Sequence, residues 1–169
     1  MRLDYRQVAP EAVQAMRELE AYVKSTGLEP SLLELVKIRA SQLNGCAYCI
    51  DLHTRNAPAV GEAERRIYAL SAWQETPFFS ARERAALTWA EAVTLLAESR
   101  VPDLVYEEAR RHFTDRELVD LTMAVVAING WNRLAVAFRL PPEGEVCVQP
   151  GCPQPLRLTF GRFHPSGST

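Results

Sequence analysis

The feature that most restricts what this chain can fold into is the spacing of its apolar residues, which recur at threes and fours up to residue 138 and almost nowhere alternate. That is the period of a helix burying one face, not of a strand. The pattern predicts an all-α fold, a single-domain helical bundle of about six to seven helices over residues 1–138. From Arg139 the pattern stops: six of the eleven prolines and four of the eight glycines fall in the last 31 residues. Residues 139–169 are therefore expected to form an irregular tail. Leu156, Leu158 and Phe160 alternate, but a tail draped over its own or a neighbouring subunit is preferred to one short strand.

Within the helical part, Pro10 suits an early helical position, and Val13, Met16, Leu19 or Glu20, and Val23 follow until Gly27. Pro30 and Ser31 open a second helix whose Leu32, Leu33, Leu35, Val36, Ile38 and Leu43 cover most of its circumference. Only a narrow polar stripe through Glu34, Lys37 and Ser41 remains, so this helix is expected mostly inside the bundle. Asn44-Gly45 is a stop, a third helix starts at about Cys46, and Pro58 ends or kinks it. A fourth helix is expected from about Glu62 to Trp73, and a fifth, with Ser80 and Glu83 as a capping box, reaches about Glu98. A sixth runs from Pro102 to about Phe113. A second capping box, Thr114 with Glu117, opens a long helix from about Asp115 to Phe138, the expected central post.

Charge and hydropathy exclude several function classes. With 19 basic against 21 acidic residues, no basic excess draws in nucleic acid. The N-terminus is charged with no apolar run behind it, and stretches such as Met123 to Ile128 fall short of a membrane span. No membrane association is expected, and a cytoplasmic location is. In a reducing compartment a close cysteine pair is more often catalytic, redox-sensing or metal-binding than a structural staple. Two such pairs occur, Cys46/Cys49 and Cys147/Cys152.

The first pair lies in the most reactive stretch of the chain, Glu34 to His53. Cys46 and Cys49 are three apart and His53 is four beyond Cys49, so on a helix all three share a face. The first turn brings positions i and i+3 close enough that modest adjustment permits a reversible disulfide. The helix start also favours thiolate over thiol, so both cysteines are expected to be more reactive than a buried average. If the second and third helices form a hairpin turning at Asn44-Gly45, Glu34 lies about 15 Å back from the turn and His53 about 11 to 12 Å forward. The two come to nearly the same level, which makes a relay of carboxylate, imidazole and thiol.

Metal binding is the rival chemistry, since Cys46, Cys49 and His53 offer three ligands and Glu34, Cys147 or Cys152 a fourth. Structural zinc favours small, core-poor folds with its knuckles on separate loops, so no metal and no cofactor is expected. A thioredoxin fold is disfavoured because no βαβ pattern surrounds the pair. Trp73, Trp89 and Trp131 read as core, and Glu91 as either a buried, partnered carboxylate near the site or part of a solvated face. Asn132-Arg133 could bridge subunits. Cys147 and Cys152 read as unpaired thiols, and His112 and His164 have no companions.

The motif Glu-x11-Cys-x-x-Cys-x3-His in an all-helical chain, with Leu87 to Thr94 and Ala127 to Arg133 downstream, resembles the alkyl hydroperoxidase D-like branch of the carboxymuconolactone decarboxylase superfamily. The resemblance covers about Leu32 to Arg139 and implies a thiol-dependent peroxidase or disulfide reductase whose cysteines cycle between dithiol and disulfide. By position, Cys49 resembles the peroxide-attacking thiol, Cys46 its disulfide partner, and Glu34 with His53 the proton relay. The implied partners are a peroxide substrate, an external dithiol reductant of lipoyl or thioredoxin type, and further copies of the chain in a trimer or hexamer. One departure is Tyr48, where the best-known member has a second histidine; a phenol near pKa ~10 is a poorer base at neutral pH. The muconolactone-decarboxylating member lacks the paired cysteines. A non-enzymatic oligomer using the motif as a redox switch or zinc clip, and an enzyme acting on a small carbonyl substrate through Glu34 and His53, are the alternatives.

Overall fold

The computed structural model describes residues 1–142. Cys147, Cys152, His164 and the alternating Leu156, Leu158 and Phe160 lie outside the described residues. Among the described residues there are nine α-helices and no strand: α1 (Tyr5–Val8), α2 (Pro10–Ser25), α3 (Pro30–Leu43), α4 (Ala47–Asn56), α5 (Glu64–Ala69), α6 (Ala81–Thr94), α7 (Leu96–Ser99), α8 (Asp103–His112) and α9 (Asp115–Phe138). Two 3-10 turns, Ala57–Val60 and Leu70–Glu75, extend α4 and α5.

Most helix ends follow from local chemistry. Pro10 and Pro30 occupy the first turns of α2 and α3, where a missing N–H costs nothing. Both capping boxes form, Ser80 with Glu83 and Thr114 with Glu117, each cap contributing about 1 kcal/mol. Pro58 cannot donate to the ladder of α4, which tightens into the 3-10 turn ending at Gly61.

The structure departs from expectation in three places. The helix expected from Glu62 begins at Glu64 and passes into 3-10 geometry at Leu70. The helix expected to reach Glu98 breaks at Leu95, where Ser99 Oγ donates to the freed Ala92 carbonyl at 2.6 Å. The run Leu95-Leu96-Ala97-Glu98 consists of good helix formers, so propensity gave no warning. Helix α1 was not foreseen at all. It is four residues long, and its position is set by the far end of the chain: the Arg2 amide donates to the Phe138 carbonyl at 2.7 Å, and the Tyr5 and Phe138 rings lie 5.6 Å apart.

Helix α3 shares the centre with α9. It packs on α4, α6 and α9, while α9 also packs on α2. Leu35, Val36 and Ile38 are completely buried, each contributing roughly 1.5–3 kcal/mol. Of the polar stripe of α3, Lys37 and Ser41 are buried and Glu34 is partly buried. Helix α2 approaches α9 so closely that a Cβ on Gly130 would lie 2.7 Å from Met16 Cε. By length and composition α9 is the one described helix that could cross a membrane; it is the core helix of this bundle, with Leu121, Ala124, Val125 and Ile128 buried.

Candidate functional site

The two cysteines sit where α3 turns into α4. Asn44 ends α3, and Gly45 adopts a left-handed φ of +63°, a conformation that a side chain would strain. Cys46 then becomes the N-cap of α4, its sulfur accepting from the Cys49 amide at 3.4 Å. Both cysteines are free thiols, 1% and 2% exposed. They are packed with Ala40, Ile128 and Ala135, with Tyr48 and Leu140 alongside.

Only Cys49 of the pair lines the adjoining cavity, a space of about 290 Å³ that His53, Glu34 and Tyr48 also line. The hairpin brings Glu34 and His53 together as the level-matching argument requires, with His53 Nδ1 2.8 Å from Glu34 Oε2. Behind them Lys37 Nζ lies 3.6 Å from Glu34 Oε1 and 2.6 Å from Glu20 Oε1. Burial pushes the Glu34 carboxyl up, but the hydrogen bond and charge of His53, together with Lys37, outweigh it and hold the group below its usual range.

The expectation that the helix start lowers both thiols holds for Cys46 alone. A hydrogen bond from the Cys49 thiol, opposed by burial and helped by the Cys49 and Tyr48 amides and the Asn132 side chain, brings Cys46 down to about 7. Cys49 moves the other way, since it donates that bond, is buried, and would carry a charge beside the Cys46 thiolate. The shared hydrogen bond therefore favours the proton on the cavity-facing sulfur and thiolate character on the inner one.

Several residues of this region take places that the sequence did not assign them. Asn132, read from the sequence as a candidate bridge between subunits, is 1% exposed; its Nδ2 donates to Ser41 Oγ at 3.0 Å and its Oδ1 accepts from Asn44 Nδ2 at 2.8 Å. Within this chain it ties α9 to the α3–α4 turn. Asn44 Nδ2 also donates to Asn129 Oδ1 at 2.9 Å, so a buried amide network backs the cysteines. Replacing Asn132 with Ala is expected to raise the midpoint of thiolate absorbance above about 7 and to lower stability by about 1–3 kcal/mol, through the unpaired groups left behind. Trp131 lines the cavity, contrary to its assignment to the core, whereas Trp73 and Trp89 are buried as expected. Tyr5, carried in by α1, lines it too, and Glu20 had no sequence signal beyond its place on a helix face. Glu91 is partnered, accepting from Arg39 Nε and Trp73 Nε1 at 2.7 Å each. Among the described residues no three of His, Cys, Asp and Glu gather as metal ligands.

The model of the carboxymuconolactone decarboxylase family matches residues 10–92, which run from the start of α2 into α6 and include all four of Glu34, Cys46, Cys49 and His53. The uncharacterized protein YdfG of Bacillus subtilis is 45% identical over 137 residues, covering 81% of this chain and 93% of that protein. A crystal structure from Agrobacterium tumefaciens, of a protein of unknown function proposed as an antioxidant defence protein AhpD, is 45% identical with a TM-score of 0.83; the match covers 85% of this chain and 99% of that one. The chain belongs to the alkyl hydroperoxidase D-like branch of the carboxymuconolactone decarboxylase superfamily. The debrominase Bmp8 shares the fold at 19% identity and a TM-score of 0.71, covering 79% of this chain and 72% of its own. The family match ends before α9, so Asn129, Trp131 and Asn132 of this alkyl hydroperoxidase D-like chain lie outside the matched segment.

Proposed function

We propose that the chain is a thiol-dependent peroxidase of a reducing compartment, cycling Cys46 and Cys49 between dithiol and disulfide. The observation that carries this reading is the shared cavity: Cys49 faces it with the Cys46 sulfur, its pKa lowered to about 7, behind, and the Glu34–His53 pair lines the same space.

In this mechanism the proton shared by the sulfurs moves to Cys46 as peroxide enters, leaving Cys49 as thiolate. Its sulfur attacks the terminal peroxide oxygen; an S–O bond forms, the O–O bond breaks, and an alkoxide departs. His53, oriented by Glu34, protonates the alkoxide with a proton drawn from solvent through the cavity. Cys46 then attacks the Cys49 sulfenic acid: the S–S bond forms, the S–O bond breaks, and the leaving hydroxide takes the Cys46 proton as water. The peroxide gains two electrons and the two thiols lose them. An external dithiol of lipoyl or thioredoxin type returns them by two thiol–disulfide exchanges.

Self-association is part of the proposal, with the exposed Val119 and Val126 of α9, 57% and 46% accessible, as the covered face; sedimentation would read it. The test of the activity is a thiol count. Reduced protein treated with hydrogen peroxide or an alkyl hydroperoxide is expected to lose both thiols of the pair and recover them with reduced lipoamide. Survival of both thiols in excess peroxide would end the peroxidase reading.

A further inference from the structure

We propose that the mouth of the cavity is a carboxylate-binding site, so that the oxidant it serves is an organic hydroperoxide bearing a carboxylate on a short alkyl chain. The inference deepens the peroxidase reading and rests on it for the reaction, though not for the binding.

Helix α2 lays Val13, Arg17, Glu20 and Lys24 along the cavity, the spacing of a single helix face. Glu20 stands three residues after Arg17 and four before Lys24, and a glutamate four residues before a lysine is the favoured arrangement for an ion pair along a helix. The structure does not use it so. Glu20 turns inward to the buried Lys37, at 2.6 Å. Among the described residues Arg17 and Lys24 are then left with no hydrogen bond or ion pair, although both line the cavity. Glu34, the other carboxylate in the lining, is committed to His53 and Lys37.

The lining carries Arg6, Arg17, Lys24 and Lys37 against Glu20 and Glu34; Arg6 is paired with Asp4 at 3.3 Å and Lys37 with the two glutamates, so the excess rests on Arg17 and Lys24. This positive excess runs against the charge of the whole chain, −2. A cleft lined by one sign of charge concentrates ligands of the other. Below the cations, Leu52, Trp131 and Ala135 offer apolar wall leading to Cys49. At about 290 Å³ the space suits a small molecule with a short chain, not a long acyl chain. A carboxylate held by Arg17 and Lys24 at the rim, with its chain on that wall, points the distal hydroperoxide inward.

The experiment compares 6-hydroperoxyhexanoate with its methyl ester, which differ at one end by the negative charge and one methyl group, in the oxidative half-reaction of fully reduced protein. The acid is expected to react about tenfold faster than the ester at low salt, with the preference shrinking as salt is added and falling to near parity in the Arg17→Gln/Lys24→Gln variant. An ester as fast as the acid, or a preference that persists in the double variant, overturns the site. A preference confined to a carboxylate-bearing dithiol in the reductive half-reaction overturns its assignment to the oxidant. If neither hydroperoxide consumes thiols, the peroxidase reading has failed and calorimetric titration decides the site alone. Hexanoate binding about tenfold more tightly than hexan-1-ol in the native chain, but not in the double variant, keeps it; equal binding removes it.

Discussion

Substituting Cys49 with Ser is expected to cut peroxide turnover at least about 10³-fold while leaving the fold intact. The serine hydroxyl takes nearly the same volume in the packing with Ala40, Ile128 and Ala135, so circular dichroism should be unchanged. What disappears is the sulfur that faces the cavity, and Cys46 behind it does not line that space. The Cys46→Ser variant separates the roles. Cys49 can still accept oxygen from peroxide there, but no neighbour closes the disulfide, so a sulfenic acid accumulates and is trapped by dimedone. Equal turnover in the native and Cys49→Ser chains would take this residue out of the mechanism.

The largest expected effect on stability comes from Lys37→Met. The lysine side chain is 3% exposed and bridges Glu20 and Glu34, whose side chains are 19% and 12% exposed. Methionine fills the same channel but leaves two carboxylates without their shared cation. Removing one partner of a buried ion pair costs roughly 3–5 kcal/mol; the lower end is expected here, because Glu20 is accessible enough to take up water. Chemical denaturation measures it. Adding Glu20→Gln to the lysine variant should return a large part of the loss, since the orphaned charge is then gone. A loss below about 0.5 kcal/mol, typical of a surface change, would mean that the bridge is not a structural tie.

The sequence and the structure agree most where the physics is local. Capping boxes, prolines at first turns and the Asn44-Gly45 stop each act within four residues, and they predicted α2, α3, α4 and α9 closely. The meeting of Glu34 with His53 was legible because a hairpin of two straight helices converts residue counts into heights. Pairings between distant segments were not. Nothing in the chain near Glu20 says that it prefers Lys37 to Lys24. Nothing around Asn132 says that it faces Ser41 and Asn44. Tyr5 reaches the cavity because α1 is fastened to the end of α9, more than 130 residues away. The partition of charge between the cysteines was equally hidden, since the helix start acts on both sulfurs and only their mutual contact decides which one loses its proton.

That contact has a bearing on α4 itself. The cap of this helix is the Cys46 sulfur, the member of the pair favoured as thiolate, and a thiolate there is an anion placed at the positive end of a helix. Once the sulfur is tied into a disulfide it is neutral and a poor acceptor, and the Cys49 amide loses its charged partner. Under the proposed cycle, the backbone order of the first turn of α4 would follow the redox state of the pair. In that cycle a reductant arriving at the cavity would then meet a first turn of α4 held by one charged contact fewer than the turn the peroxide met.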